Sequence, residues 1–259
     1  PTRRSSDLKI PVMFCRSLIF VRHITYPVTK GYWVEYIITT SSIWGGIMQT
    51  VTQKTLEDTM YYGDIPVFIY QIHYPFFTTT CNETAGRDIN AYYAKRAMDT
   101  EEYCRNILFA QAAEDKRYHQ DGLPFNSYTL EAVYQITYNA GCITSLYTDT
   151  YTYMGGAHGE TKRTSDTWDF MTGNRLKLAD VYPLTPASLY QLHRSIARQI
   201  AHRLSETPGS YFDDYRSLLK AAFNVNRFYL RPGSGVIYYQ QYDIAPYSTG
   251  IPEFYFPLR

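Results

Sequence analysis

The sequence predicts an α+β fold of antiparallel sheets with packed helices, arranged as two intimately associated subdomains. Three observations lead there: short runs with period-two alternation, two stretches with helical periodicity, and turn residues at the joins. Strands come first, then helices, then strands again, an order that suits a mixed layer better than a doubly wound parallel sheet.

Phe68, Tyr70, Ile72 and Tyr74 alternate with Val67, Ile69, Gln71 and His73, giving a run with two different faces that is expected as the first strand. Glu83 to about Gln120 reads as one helix or two, with Ile89, Tyr93, Ala97, Tyr103, Ile107 and Leu108 forming an imperfect apolar stripe that should cover a sheet. Ser127 to Asn139 and Cys142 to Met154 are β-rich and meet at Asn139-Ala140-Gly141, where Asn and Gly accept the positive φ of a tight hairpin. Thr161 to Phe170 supplies a further strand, and Met171-Thr172-Gly173-Asn174 turns the chain towards Leu176, Leu178 and Val181, so antiparallel meanders are expected. From Pro186 to Ser205, Leu189, Leu192, Ile196, Ile200 and Leu204 keep helical spacing after the start signals Thr185 and Pro186, and Arg194, Arg198 and Arg203 occupy the other face. A helix at about Tyr211 to Phe223, the run Phe228-Tyr229-Leu230, a turn from Arg231 to Gly235 and a strand from Val236 to Gln240 complete the order.

Residues 60–150 are expected to form an amino-terminal subdomain and 151–259 a carboxy-terminal one. Pro1 to Leu8 match a translated sequencing adapter in every position, and Gly45-Gly46 upstream of Met48 fits a translated ribosome-binding site. Residues 1–47 are therefore set aside as adapter and upstream translation, with Met48 as the expected start.

With 25 basic and 24 acidic residues the net charge is +1, which offers no overall footprint for nucleic acid, an anionic membrane or another polyanion. No apolar run approaches the ~20 residues that span a bilayer. Gln49 to Lys54 is no signal core, so the cytoplasm is the default address. Cys81, Cys104 and Cys142 lack the close spacings of zinc or redox sites and are expected as reduced, mostly buried thiols. Tyrosine, at 27 residues, suits half-buried strands, so only a cluster exposed in loops would point to recognition.

The search for catalytic chemistry returns little. There is no Gly-x-Ser-x-Gly, and Ser234 lies in a hairpin-like turn. The six histidines show no metal-binding spacing, and His193 and His202 fall on roughly opposite faces of one helix. Asp166 and Asp169 point to opposite faces of a strand and are expected at solvated positions. Gly155-Gly156-Ala157-His158-Gly159 has neither the Lys nor the following helix of a nucleotide loop, and a bulge or sharp turn is its simplest role. No metal, cofactor or catalytic residue is assigned, and a non-enzyme is expected.

Three segments together resemble a known family. Tyr151-Thr152-Tyr153-Met154-Gly155-Gly156-Ala157-His158-Gly159 resembles a Tyr-x-Tyr-x-Gly-Gly-Ala-His-Gly signature. Trp168 to Asp180 resembles the strand-turn-strand that follows it. Phe228-Tyr229-Leu230 with Tyr238 to Gly250 resembles its closing signature. The family is the domain of unknown function shared by RsiV-type anti-sigma factors and the accessory region of PdaC-type peptidoglycan deacetylases, and the match spans about Met60 to Leu258. The resemblance implies an α+β fold of two packed subdomains. In RsiV the domain lies outside the membrane and binds lysozyme, and in PdaC it precedes a separate deacetylase domain. This sequence shows no membrane anchor, sigma-binding segment or deacetylase domain, so only the module is expected to carry over.

The expected function is a noncatalytic binding or sensing module of cell-wall-stress type, recognising a lysozyme-like protein or a cell-wall glycan. The candidate ligand-binding residues are Tyr151, Tyr153, Gly155, Gly156, His158 and Gly159 around the glycine turn, with Tyr242, Pro246 and Tyr247 near the end, since aromatics suit protein hot spots and sugar stacking alike. One alternative is a small carbohydrate-active hydrolase or deacetylase accessory protein using His158 with Glu160, Asp166 or Asp169. Another is a cytoplasmic interaction protein whose fold has lost its ancestral ligand.

Overall fold

The computed structural model describes residues 48–119 and 124–258, all within one compact unit, and the expectation for residues 1–47 falls outside them. Among the described residues nine strands form two sheets: β1 Thr50–Tyr62, β2 Ile65–Thr78, β3 Tyr128–Ala140, β4 Ile143–Tyr153, β5 Glu160–Asp169 and the short β6 Asn174–Arg175 in the larger, and β7 Phe228–Arg231, β8 Ser234–Tyr238 and β9 Glu253–Pro257 in the smaller. The helical segments are α1 Glu83–Tyr103, a π turn at Cys104–Leu108, α2 Phe109–Tyr118, α3 Leu178–Val181, α4 Pro186–Glu206 and α5 Tyr215–Ala221.

The α+β class holds, and the larger sheet is mixed. The helices α1 and α2 carry the chain back along the sheet after β2, so β3 starts from the same end and pairs parallel, with Phe68 opposite Tyr128 and Ile72 opposite Ala132. Every other neighbouring pair is antiparallel. The strand expected first is second in order. β1 precedes it, and its polar run of Thr, Gln, Lys, Glu and Asp has no apolar alternation to announce it; pairing along the whole of β2 makes it a strand.

Phe68, Tyr70 and Ile72 turn one face of β2 onto Ala97, Cys104, Leu108 and Ala112 of the helical layer. Asn82 opens α1 by accepting from the amides of Thr84 and Ala85 at 3.0 and 3.3 Å. The β3–β4 hairpin turns on Gly141 and Cys142, with φ of 60° and 63°. Cys142 joins Cys81 in a disulfide, which corrects the expectation of reduced thiols: the Cα atoms, 61 residues apart in sequence, lie 6.0 Å apart. Nothing in the spacing of these cysteines signals the approach, because it follows from laying α1 across the hairpin. Cys104 alone of the three is a free buried thiol, and burial pushes its pKa up to about 12.

The smaller sheet and α4 form a second core, in which Leu192, Ile196 and Ile200 pack with Ile237, Tyr239, Phe254 and Phe256. It is fastened to the larger sheet by polar contacts. Ser165 Oγ donates to the Phe228 carbonyl at 2.5 Å, Ser145 Oγ accepts from the Leu230 amide at 2.9 Å, and the rings of Tyr147 and Tyr229 stand 5.3 Å apart. Position 150, the expected subdomain boundary, lies inside β4.

Arg163 of β5, 8% exposed, is the strongest of these ties. Its guanidinium donates to both carboxylate oxygens of Asp149 at 2.7 and 2.6 Å, pairs with Glu253 of β9, and lies 3.6 Å from the Tyr147 ring centroid. On the other face of β5, Asp166 faces α1. It pairs with Arg96 at 3.0 Å and Arg175 at 2.8 Å and receives the Tyr93 hydroxyl at 3.3 Å. Asp166 is 3% exposed, which corrects its expected solvated position: the arginines that compensate it come from α1 and β6, outside its own strand.

Replacing Arg163 with Ala leaves Asp149 and Glu253 facing each other uncompensated, and should cost about 3–5 kcal/mol in urea unfolding, with a smaller loss for Asp149→Asn. His193 packs on Phe223 with its Nε2 buried and unbonded, and burial followed by the nearby Lys220 charge lowers its pKa. The unfolded chain therefore binds the proton more readily. This residue's contribution is whole above about pH 6.5 and is lost as pH falls towards the folded value. The melting temperature should drop between pH 7 and pH 5 by more in the parent than in His193→Phe.

Candidate functional site

The glycine segment between β4 and β5 and the chain after β8 meet at one end of the larger sheet. Two glutamines bring them together. Gln241 Oε1 accepts the Thr161 amide at 2.8 Å, and Gln240 both accepts the Arg163 amide at 2.9 Å and donates to its carbonyl at 2.6 Å. These side chains satisfy the outer edge of β5 where no further strand pairs with it, and so dock the closing segment beside the glycine turn. Sequence reasoning passed over Gln240 and Gln241 in favour of their aromatic neighbours. The available signal was a pair of amides directly after a buried strand.

The docked segment carries Tyr242, which adopts a left-handed φ of 65°, and a short turn at Tyr247–Thr249 that follows Pro246. The Tyr247 ring stacks on His158, with centroids 4.0 Å apart and planes at 20°, and Tyr242 stands 6.0 Å from Tyr247. Tyr242 is 53% exposed, His158 is exposed and Tyr247 is half-buried, so the three rings form an aromatic ledge with His158 and Tyr242 open to solvent. His158 Nδ1 lies 3.0 Å from the Gly159 carbonyl, which can only accept, so in this contact Nδ1 donates.

The other expected site residues support the ledge. Tyr153 donates its hydroxyl to the Gly156 carbonyl at 3.1 Å, and its ring meets Tyr128 edge-on at 6.2 Å. Tyr151 is half-buried and packs under Gly159. The three glycines do different jobs. Gly155 and Gly156 take φ of 89° and 85°, and a Cβ on Gly155 would also meet the Tyr128 hydroxyl at 2.9 Å. At Gly159 the constraint is space, since a Cβ would lie 2.4 Å from the Thr152 carbonyl oxygen and 2.6 Å from the Tyr151 ring.

Two of the carboxylates named for a hydrolytic alternative, Asp166 and Asp169, are engaged elsewhere. Asp166 is held under α1, while Asp169 caps the turn after β5 by accepting from the Met171 amide and the Thr172 hydroxyl at 2.8 and 2.9 Å. Glu160 and Asp166 lie six residues apart on one strand, about 20 Å. Among the described residues no group of three or more His, Cys, Asp or Glu side chains could hold a metal ion. An open polar groove of about 640 Å³ runs beside the ledge, bounded by Ser248 and Thr249 of the closing turn, by Glu253 and Tyr255, and by the end of α4 at Arg203 to Thr207.

Gly159→Ala should cost about 2–3 kcal/mol of stability in urea unfolding, because the strand and a ring must both move. Gly156→Ala, with open space around it, should cost about 1 kcal/mol from the left-handed backbone alone. Equal costs would show that the turn repacks freely.

Residues 63–161 match the family described as deacetylase PdaC, and residues 182–259 match the family of unknown function DUF3298. No curated protein matches the chain. Among solved structures, a DUF3298 family member from Bacteroides fragilis is similar at 20% identity, covering 81% of this chain and 90% of its own with a TM-score of 0.60. A DUF3298 family protein from Pseudomonas aeruginosa is similar at 17% identity, covering 80% and 90% with a TM-score of 0.51. At these identities the likeness is one of fold. The two matches thus fall on successive parts of the chain, the first similar to PdaC-type proteins and the second to DUF3298 proteins.

Proposed function

We propose that this chain is a noncatalytic binding module that acts outside the cytoplasm and captures its ligand on the His158–Tyr247–Tyr242 ledge. The observation that carries the reading is the stack of exposed His158 on half-buried Tyr247, brought together from distant points in the sequence. Rings held rigid by their neighbours lose little freedom on binding, and they offer a flat apolar face with polar edges, as protein hot spots and sugar-stacking surfaces do. The Cys81–Cys142 bridge supports an oxidising compartment. No helix among the described residues is long and apolar enough to cross a membrane. The partner proposed is a lysozyme-like protein, with a cell-wall glycan as the second reading on the same surface.

Titration calorimetry of the full chain against a C-type lysozyme, and separately against soluble peptidoglycan fragments, tests this. Tyr247→Ala should weaken the productive titration by about tenfold or more, as loss of a central aromatic anchor does, with the melting curve retained. Heat with lysozyme alone selects the protein partner, and heat with fragments alone selects the glycan. Affinity indifferent to Tyr247→Ala, or no heat with either from folded protein, removes the ledge as the binding surface.

A further inference from the structure

The net charge of +1 conceals a segregated positive face. On α4, Leu192, Ile196 and Ile200 enter the core, whereas Arg194, Arg198 and His202 are exposed at four-residue intervals and form one row along the helix. Each step in that row is about 6 Å. Tyr190, 65% exposed, begins the same row. The one carboxylate of α4 is Glu206 at its end, 3.7 Å from His202. Among the described residues no carboxylate stands within ion-pair distance of Arg194 or Arg198, although Arg96, Arg105, Arg163, Arg175 and Arg227 elsewhere all have such partners.

Beside the row lies an open depression of about 370 Å³ lined by Ser195, Arg198, Gln199, His202 and Arg203. Its walls are fixed. Gln199 accepts the Tyr255 amide at 3.1 Å and donates to the Tyr255 carbonyl at 3.0 Å, which ties α4 to the edge of β9. Arg203 donates to the Tyr211 hydroxyl at 2.8 Å and to the Glu253 backbone carbonyl at 2.6 Å, so it is oriented by neutral acceptors and keeps its charge. Arg231 is likewise held by the Tyr255 hydroxyl at 3.0 Å.

We propose that this face of α4 is a docking surface for an acidic, helical protein segment. Carboxylates four residues apart on a partner helix recur at the same ~6 Å step as Arg194 and Arg198, so a helix laid along α4 meets each arginine in turn. The planar fork of an arginine takes a carboxylate through two parallel hydrogen bonds. The surface shares no residue with the aromatic ledge.

Fluorescence anisotropy with the full chain and a labelled alanine-based helical peptide bearing glutamate at every fourth position tests the proposal, against the same peptide with glutamine and against inorganic polyphosphate. The glutamate peptide should bind, weaken with added salt, and lose about tenfold or more in affinity to the double variant Arg194→Glu, Arg198→Glu. Both positions are exposed, so the variant should keep the parent melting curve, and Tyr247→Ala should bind the peptide as the parent does. Failure of the glutamate peptide to bind, equal binding of the glutamine peptide, indifference to the charge reversal, or capture of polyphosphate alone would each overturn it.

Discussion

Arg163 stands at the junction on which the rest of the structure depends. A guanidinium removed from water must be compensated, and here the compensation comes from three places: Asp149 on the neighbouring strand, Glu253 on the other sheet, and the face of Tyr147. Because both its backbone amide and carbonyl also bond Gln240, the same residue fixes the relation of β5 to the smaller sheet and to the segment that leaves it. The two sheets are thus coupled by satisfied polar groups where an apolar interface would tolerate sliding. A buried charge is satisfied in one arrangement only, and that gives the contact its specificity.

The aromatic ledge inherits this constraint. Gln240 and Gln241 hold the closing segment against β5, and Tyr242 and Tyr247 follow within seven residues, so the rings arrive at the glycine turn with little freedom left. From below, Tyr151 and Tyr153 fix the turn itself. The opposite face of β5 is treated in the same manner by Asp166, whose charge gathers Arg96 from α1 and Arg175 from β6. Burial, with the Asp166 charge beside it, raises the Tyr93 pKa well above the ordinary phenol value, so the hydroxyl remains a donor to Asp166. One strand therefore carries an anion on one face and a cation on the other, each answered by a different layer.

Much of the architecture was legible because its causes are local. Helical periodicity located α1, α2 and α4, period-two alternation located β2, and Asn and Gly marked the β3–β4 hairpin. Thr185 and Pro186 are respectively the cap and first residue of α4, as their chemistry implies. Of the site residues, His158, Tyr242 and Tyr247 do come together, and Tyr151, Tyr153 and the glycines support them. β1 escaped detection because a polar edge strand has no buried face to write an alternation into sequence.

By itself the sequence determined most of the elements, the α+β class and the residues from which a ledge could be made, since propensity, capping and periodicity act over a few neighbours. Tertiary structure alone decided the parallel pairing of β2 with β3, the Cys81–Cys142 bridge, the burial of Arg163 and Asp166 between opposite layers, and the stacking of His158 on Tyr247. Each of these joins groups distant along the chain. Whether a charge is solvated or a thiol bridged depends on what is packed against it, and that is fixed only when the layers meet.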